Sequence, residues 1–320
     1  MRQAVLALVG LLVFPALARA DYTVATVQRA TPVSAYAGHV VWSQFEGGAF
    51  HLYEAHASPA RLVTNALPVP PRAVPFDADI GPGADGTPTV VYSRCSREPR
   101  AGADGLPVWA TGRGCDVYAF ALGAAAEARV PGVSTGGASE FLPTIWRDHV
   151  GFARVYVGRN RLPYVYVRGD GPSERQPGGM RGDTGLPGPT SLDLAGVRLG
   201  LTWGATVNGD FRSDARLDTT TGGHTLLEFT TGQGVGNRVV SAFVFSGRVW
   251  WVHETTSGPQ HVYRRWRIST EKLEQAEIPA TRQRTLAIAP QSVSSVYWSK
   301  CGDAGCLIGG DGFANFVATL

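Results

Sequence analysis

The chain has 320 residues, of which Gly and Pro make up about 19% and charged residues 17%, against roughly 12% and 25% in an average domain. Good helix formers are few and β-branched and aromatic residues are plentiful, which argues against a helical bundle, while an apolar fraction of 44% excludes a disordered chain. The formal charge is only +3 and no Lys/Arg run occurs, so nucleic acid is not an expected partner.

The first twenty residues have the layout of an export signal. A basic start precedes the apolar run 4–18, and residues 18–20 read Ala-Arg-Ala, the small-x-small pattern of a signal peptidase site. The run contains Pro15 and is shorter than the roughly 20 residues of a membrane span, so a transmembrane anchor is the less favoured alternative. We therefore expect a cleaved signal peptide at 1–20 and an exported mature chain, extracellular or periplasmic, with no membrane span.

One sequence pattern recurs six times along the rest of the chain. A turn residue is followed by an apolar, β-rich stretch that ends in a bulky residue. These bulky residues are Trp42, Tyr92, Phe152, Leu201, Trp251 and Trp298. In four repeats an aliphatic-Tyr pair follows, ending at Tyr53, Tyr118, Tyr166 and Tyr263. The spacing predicts modules of about 50 residues.

Each module contains four short β-rich segments separated by turn residues. A four-stranded sheet that is apolar on both faces must stack against neighbours, and radial closure satisfies every sheet. The sequence therefore predicts an all-β fold, a six-bladed β-propeller of four-stranded antiparallel blades. A β-sandwich or a β-helix is the alternative, but sandwiches lack this period and β-helix repeats are shorter. We expect an N-terminal closing strand at 21–30 and blades at approximately 31–73, 74–131, 132–183, 184–236, 237–280 and 281–320.

The second repeat resembles the repeat of TolB-type, WD40-like propellers. Residues 79–94 read DIGPGADGTPTVVYSR, and Asp-Val-Tyr follows at 116–118. A Pro/Asp/Gly turn thus precedes an apolar strand that ends in Ser, and an Asp-aliphatic-Tyr strand comes next. The resemblance covers residues 31–320 loosely, without the α/β domain that precedes the propeller in TolB. It implies export and protein binding on a propeller face, and it does not imply catalysis.

The four cysteines fall at equivalent positions of two repeats. Cys95 and Cys301 each follow a Ser and a cation, and Cys115 and Cys306 each follow a Gly. Opposed residues at the open end of a hairpin are close enough for a disulfide, and export favours oxidation. Of three possible pairings, the repeat selects Cys95–Cys115 and Cys301–Cys306. A Cys-x4-Cys metal site is the less favoured alternative, because no His pair of suitable spacing accompanies it.

Candidate binding residues end the second strand of five repeats. In a propeller, the loops between second and third strands share a face with the connections between blades, and these loops are expected to be long at 96–114, 155–163 and 204–214. The candidates are Arg94, Arg154 and Lys300, with Gln44 and His253 at the same register, and Arg97, Arg100, Arg113, Arg159 and Arg161 lie in the same loops. We hypothesise a basic rim for an acidic protein segment or an anionic glycan; pairing with local acids is the alternative.

The sequence thus favours a non-enzymatic binding or scaffold module with a macromolecular partner. It predicts no catalytic residue, no cofactor and no metal ligand. The alternative is a propeller hydrolase or lyase with its active site at the channel mouth. Convergence of Asp77, Asp79, Asp193 or a His from different blades would favour the enzyme.

Overall fold

The computed structural model describes residues 22–58, 61–102, 105–156, 158, 163–169, 174–175, 188–207, 210–233, 238–254, 261–276, 284–292, 295–302, 305–312 and 316–318. The expected signal peptide lies outside these residues. Six main antiparallel sheets follow one another along the chain, and we number them as blades 1 to 6.

The first three blades are each built from four consecutive main strands. Blade 1 contains β2 (Val33–Tyr36), β3 (His39–Glu46), β4 (Ala49–Ser58) and β5 (Arg61–Ala66). Blade 2 contains β6 (Asp79–Pro82), β7 (Pro88–Arg97), β10 (Arg113–Ala121) and β11 (Ala128–Arg129), with a small hairpin of β8 (Arg100–Ala101) and β9 (Pro107–Val108) between β7 and β10. Blade 3 contains β12 (Ala138–Trp146), β13 (His149–Tyr156), β14 (Pro163–Arg168) and β15 (Glu174–Arg175).

The last three blades include both chain ends. Blade 4 contains β16 (Pro189–Ala195), β17 (Arg198–Val207), β18 (Asp210–Thr219) and β19 (His224–Gln233). Blade 5 contains β20 (Arg238–Phe245), β21 (Arg248–Glu254), β22 (His261–Arg267) and β23 (Lys272–Ala276), and β27 (Phe316–Ala318) adds a fifth strand. Blade 6 contains β24 (Arg284–Ser292), β25 (Ser295–Gly302) and β26 (Gly305–Gly312), and its outermost strand is β1 (Tyr22–Val27).

The blades form a closed ring around an axis. The first strands of successive blades contact one another in order, and β24 of blade 6 contacts β2 of blade 1. Every blade is therefore stacked between two neighbours. This confirms the six-bladed β-propeller predicted from the repeat. In the part of the chain that the structure describes, no helix has the length and hydropathy needed to cross a membrane.

The hydrophobic core lies between the blades. Val91 of blade 2 packs with Ile145 and Phe152 of blade 3, and Ala215 of blade 4 packs with Trp251 of blade 5. All five of these side chains are at most 6% exposed. Both faces of a blade are thus apolar, which explains why the repeat pattern carries hydrophobic residues at adjacent positions.

In blades 1 to 3, the bulky repeat residue on the second strand lies opposite a Tyr side chain on the third strand. Stacked pairs form between Trp42 and Tyr53, Tyr92 and Tyr118, and Phe152 and Tyr166, with ring centroids 6.0, 6.5 and 5.8 Å apart. The sequence places Tyr263 at this position in blade 5, but the strand register sets Arg264 opposite Trp251 there.

In blade 6, a glycine takes the place of this Tyr. Gly309 lies opposite Trp298 in the register, and a Cβ on Gly309 would lie 2.5 Å from the indole ring. The strand β1 pairs on the other side of β26, with Tyr22 opposite Gly310. Because the sixth repeat has glycine in place of Tyr here, the closing strand β1 can pack closely against β26.

Candidate functional site

A pocket of about 570 Å³ lies on the propeller axis. It opens on the face that carries the loops between second and third strands, which we call the top face; the opposite face is the bottom face. The first strand of every blade contributes to its lining, through Val33, Asp79, Leu142, Leu192, Val240 and Ile288. Most of the lining is apolar, as in ordinary ligand pockets.

The blade-2 insertion (residues 98–112, of which 103–104 are not described) covers this pocket. Its segment from Leu106 to Thr111, which includes a single 3-10 turn, lines the pocket. Trp109 is 6% exposed and packs into the core of blades 3 and 4. A Cβ on Gly105 would lie 3.2 Å from the Cβ of Ala30, in the connection from blade 6 to blade 1. The insertion therefore reaches across the top of the pocket.

A disulfide closes the base of the insertion. Cys95 and Cys115 lie opposite each other in β7 and β10 and are bonded. A Cβ on Gly112 would lie 2.8 Å from Cys115 Sγ, so only a glycine allows the insertion to approach the disulfide so closely. The second disulfide joins Cys301 to Cys306 in blade 6. These are the two pairs that the repeat register predicts.

Unpaired arginines surround the base and edge of the insertion. Arg97 and Arg113 lie directly opposite each other, an arrangement that like charges disfavour in a sheet. Arg113 donates only to the backbone oxygens of Ala110 (3.1 Å) and Gly112 (2.6 Å), and the exposed Arg100 lines the pocket. Among the residues described, no carboxylate forms an ion pair with these three arginines. Within the described residues, the arginines at and beside the pocket mouth therefore carry positive charge that no carboxylate pairs with.

The mouth of the pocket also contains an exposed apolar side chain. Val108 lines the pocket and is 47% exposed, although it belongs to the apolar wall of the insertion. Two residues of the pocket wall have positive φ angles without being glycine, Leu142 at 49° and Ser241 at 56°. Both lie at bulges of first strands. Such backbone strain persists only where the surrounding structure fixes it, and it is concentrated at binding sites.

Asp79 holds three blades together at the pocket floor. Its Oδ1 accepts a hydrogen bond from Ser34 Oγ in blade 1 (2.6 Å), and its Oδ2 accepts from Thr144 Oγ1 (2.8 Å) and Ile145 N (3.1 Å) in blade 3. Thr144 Oγ1 accepts in turn from Leu194 N of blade 4 at 2.8 Å. Burial raises the pKa of Asp79, although these hydrogen bonds act in the opposite direction.

Similar bonds continue around the ring. Asp193 Oδ2 of blade 4 accepts from Val244 N of blade 5 at 2.6 Å. Ser241 Oγ accepts from Ile288 N of blade 6 at 2.9 Å. Burial, together with the negative charge of Asp79, raises the pKa of Asp193 well above its usual range. We call this set of side-chain bonds between first strands the axial belt.

The carboxylate of Asp77 also accepts hydrogen bonds from the surrounding fold. Its Oδ1 accepts from Ser93 N (2.9 Å), and its Oδ2 accepts from Ser93 Oγ (2.6 Å) and from Leu142 N of blade 3 (2.7 Å). Arg72 lies 3.3 Å from Asp77 and also pairs with Glu98 of the insertion at 2.6 Å. The described residues place one group of His, Cys, Asp or Glu within metal-ligand reach, in blade 1, and the three aspartates are not part of it.

Two of the five binding candidates lie inside the blades. Arg154 is 2% exposed and donates from Nε to Glu140 Oε1 at 2.8 Å, with its guanidinium 5.0 Å from the Phe152 and Tyr166 ring centroids. Burial raises the pKa of Glu140, an effect that Arg154 partly offsets. Lys300 is also 2% exposed, with Nζ 4.2 Å from the Trp298 ring centroid. These cations contact aromatic faces within the blades and do not reach the top surface.

The other three candidates contact nearby glutamates. Arg94 pairs with Glu127, Gln44 donates to Glu46 Oε1 at 2.7 Å, and His253 Nδ1 lies 2.6 Å from Glu228 Oε1. Burial would raise the pKa of Glu228, but its contacts with His253 and Arg264 hold that pKa below the usual value. The five candidates therefore lie at separate contacts, whereas Arg97, Arg100 and Arg113, in and beside the insertion, are top-face arginines without an ion pair among the described residues.

Of the expected loops, 96–114 forms a surface feature, and most of 155–163 lies outside the described residues. The loop expected at 204–214 is mostly strand, because β17 continues to Val207 and β18 starts at Asp210. Arg159 and Arg161 lie outside the described residues. Sequence reasoning identified the length of the blade-2 loop but not its position over the axis, since nothing in the local pattern shows where a long loop folds.

No protein-family model matches the chain, and no curated protein is significantly similar to it in sequence. Solved structures share its fold. A nidogen/laminin complex aligns with a TM-score of 0.50 and 10% identity over 82% of this chain and 85% of that one. A luciferin-regenerating enzyme aligns with a TM-score of 0.50 and 9% identity over 93% of this chain and 97% of its own.

Two further propellers are longer than this chain. A Hadza microbial sialidase aligns with a TM-score of 0.51 and 10% identity over 89% of this chain and 65% of its own. TolB from Acinetobacter baumannii aligns at 0.49 and 11% identity over 88% and 65%, a score that carries no argument of its own. The likeness shows the class, a six-bladed β-propeller. Because the matched proteins include enzymes as well as a protein complex, it does not choose between binding and catalysis.

Proposed function

We propose that this chain is an exported, non-enzymatic binding protein that takes up an acidic segment of another protein on its top face. The observation that carries the proposal is the combination of an apolar axial pocket with arginines at and beside its mouth that pair with no carboxylate of the described residues. An apolar side chain of the partner would enter the pocket, and neighbouring carboxylates would lie against Arg97, Arg100 and Arg113.

The two disulfides support the location outside the cytoplasm. Such bonds persist in oxidising compartments, and one of them fixes the insertion that forms the binding surface. A preorganised insertion loses little conformational entropy when the partner binds. An anionic glycan would satisfy the arginines but would not fill an apolar pocket, so we favour the protein segment.

The arrangement of the buried acids argues against the hydrolase or lyase alternative. Asp77 and Asp79 line the pocket, but each of their oxygens already accepts at least one hydrogen bond from another part of the fold. Each of these bonds uses a lone pair and fixes the carboxylate in place, which leaves less capacity to take a proton from a substrate. Both carboxylates instead join blades 2 and 3: Asp79 belongs to the axial belt, and Asp77 accepts from Leu142 N.

Photo-cross-linking tests the proposal and identifies the partner. We would place a photoreactive amino acid at Val108 on the top face and, as a matched control, at Val197 in the turn between β16 and β17 on the bottom face, which is 56% exposed. In the cells that produce the protein, the Val108 probe should give a discrete protease-sensitive adduct, and the Val197 probe should not.

Charge variants refine the test. The double variant Arg97→Ser/Arg100→Ser should reduce the Val108 adduct about fivefold, because two exposed charges at an interface contribute about 1 kcal/mol together. The control Arg147→Asn/Arg198→Ser removes two exposed arginines from the bottom face and should leave the adduct unchanged. An adduct at Val197 alone, or one that resists protease, would contradict the proposal.

A further inference from the structure

Two histidines and a glutamate meet at the bottom end of blade 1. His39 begins β3, and His56 lies directly opposite it in β4. Glu54 precedes His56 by two residues and so points to the same face of the sheet. The Nδ1 atoms of His39 and His56 lie 2.6 and 2.8 Å from the same carboxylate oxygen, Glu54 Oε1.

The burial of this group is graded. The Glu54 side chain is 4% exposed, whereas the His39 and His56 side chains are 25% and 36% exposed. The carboxylate therefore lies at the base, and the two rings extend from it towards solvent. Within the described residues no Lys or Arg pairs with Glu54, so the two imidazoles are the groups that compensate its buried charge.

We propose that His39, Glu54 and His56 bind a divalent transition-metal ion of the Zn²⁺ type. One potential ligand atom from each of the three side chains lies within 4.8 Å of the others. Two imidazole nitrogens and one carboxylate oxygen suit zinc and its neighbours, whereas Mg²⁺ and Ca²⁺ prefer oxygen alone. The exposed side leaves room for water as a further ligand.

The geometry requires only a small adjustment. Ligands about 2.0–2.1 Å from a tetrahedral zinc ion are about 3.3 Å from one another. The present nitrogen–oxygen separations of 2.6 and 2.8 Å would increase by roughly half an ångström, which rotation of two partly exposed rings provides. Strand pairing holds the three Cα positions, because His39 lies opposite His56 and Val41 lies opposite Glu54 in the β3–β4 ladder. The site thus rests on a rigid part of the blade.

Calorimetric titration of the tag-free mature chain with ZnCl2 tests the proposal. We expect about one equivalent of Zn²⁺ to bind, a higher Tm with zinc, and no heat with MgCl2. His56→Asn should weaken zinc binding at least tenfold, and Glu54→Gln should also weaken it. Because Glu54 is buried, the Tm of each variant without metal is measured as a folding check, and the partly exposed His56 remains the decisive position.

His149 provides the matched control. It begins β13 of blade 3 as His39 begins β3, and it contacts one acid, Asp148, at 2.9 Å. His149→Asn should bind zinc as the unchanged chain does. Absence of zinc binding, equal affinity in His56→Asn, or loss of binding in His149→Asn would each overturn the proposal. None of these results depends on a partner at the top face.

Discussion

Asp193 is a buried acid in a position that disfavours its charge. It is 4% exposed and accepts a hydrogen bond from Val244 N, and burial with the nearby charge of Asp79 raises its pKa well above the usual range. Because the folded pKa exceeds the unfolded one, the folded state binds the proton more tightly. Its contribution to stability is therefore fully present below about pH 4, the unfolded pKa, and is lost as the pH rises through the folded pKa.

We expect Asp193→Asn to stabilise the protein at pH 8 and to reduce the dependence of Tm on pH. The amide oxygen still accepts from Val244, while the cost of burying an ionisable carboxyl group is removed. A gain of about 1 kcal/mol would raise Tm by about 2 °C. Calorimetry at pH 5 and pH 8 measures this, with the exposed Asp85→Asn as control. A lower Tm of Asp193→Asn at pH 8 would mean that the carboxylate charge itself stabilises the axial belt.

Single-residue roles were the least predictable part of the site. The repeat register places Arg154 and Lys300 on the second strand, but it does not show their burial, which depends on how neighbouring blades stack. The blade-1 histidines were within reach of sequence reasoning. A two-residue Gly47-Gly48 turn sets residues at equal distance from it opposite each other, which pairs His39 with His56.

At the scale of elements, the blade-2 insertion depends on its disulfide. In the chain-entropy account, the Cys95–Cys115 bond, which spans 20 residues, contributes about 3 kcal/mol, and the Cys301–Cys306 bond, which spans 5, contributes about 2 kcal/mol. We expect Cys95→Ser/Cys115→Ser to lower the free energy of unfolding more than Cys301→Ser/Cys306→Ser does, as measured by urea titration. Only the Cys95→Ser/Cys115→Ser variant should also reduce cross-linking at Val108. If the two double variants reduced cross-linking equally, the insertion would not be the element that binds the partner.

The elements themselves were largely predictable. Turn residues at a period near 50 indicate six modules, and the equivalent cysteines identify one hairpin position in two of them. The departures have local causes. Blade 5 shifts its Tyr by one place in the register, and β17 and β18 extend through the expected loop because nothing in 204–214 prevents pairing. The folding of the insertion over the axis depends on Trp109 reaching the core of blades 3 and 4, a long-range contact that no period reveals.

At the scale of the whole molecule, the ring is completed by the N-terminal strand. Thr26 and Val27 of β1 lie opposite Leu307 and Cys306 of β26, so blade 6 combines residues from both ends of the chain. A propeller joined in this way cannot open without breaking a strand ladder. The pocket exists only in the closed ring, because it is lined by the first strands of all six blades.

Hydrogen–deuterium exchange of residues 22–27 tests this closure most directly. The account predicts that their backbone amides exchange as slowly as those of 305–312, and that deletion of residues 22–27 speeds exchange in 305–312. Exchange of 22–27 at the rate of an unstructured chain, with 305–312 still protected, would contradict the account in which β1 completes blade 6.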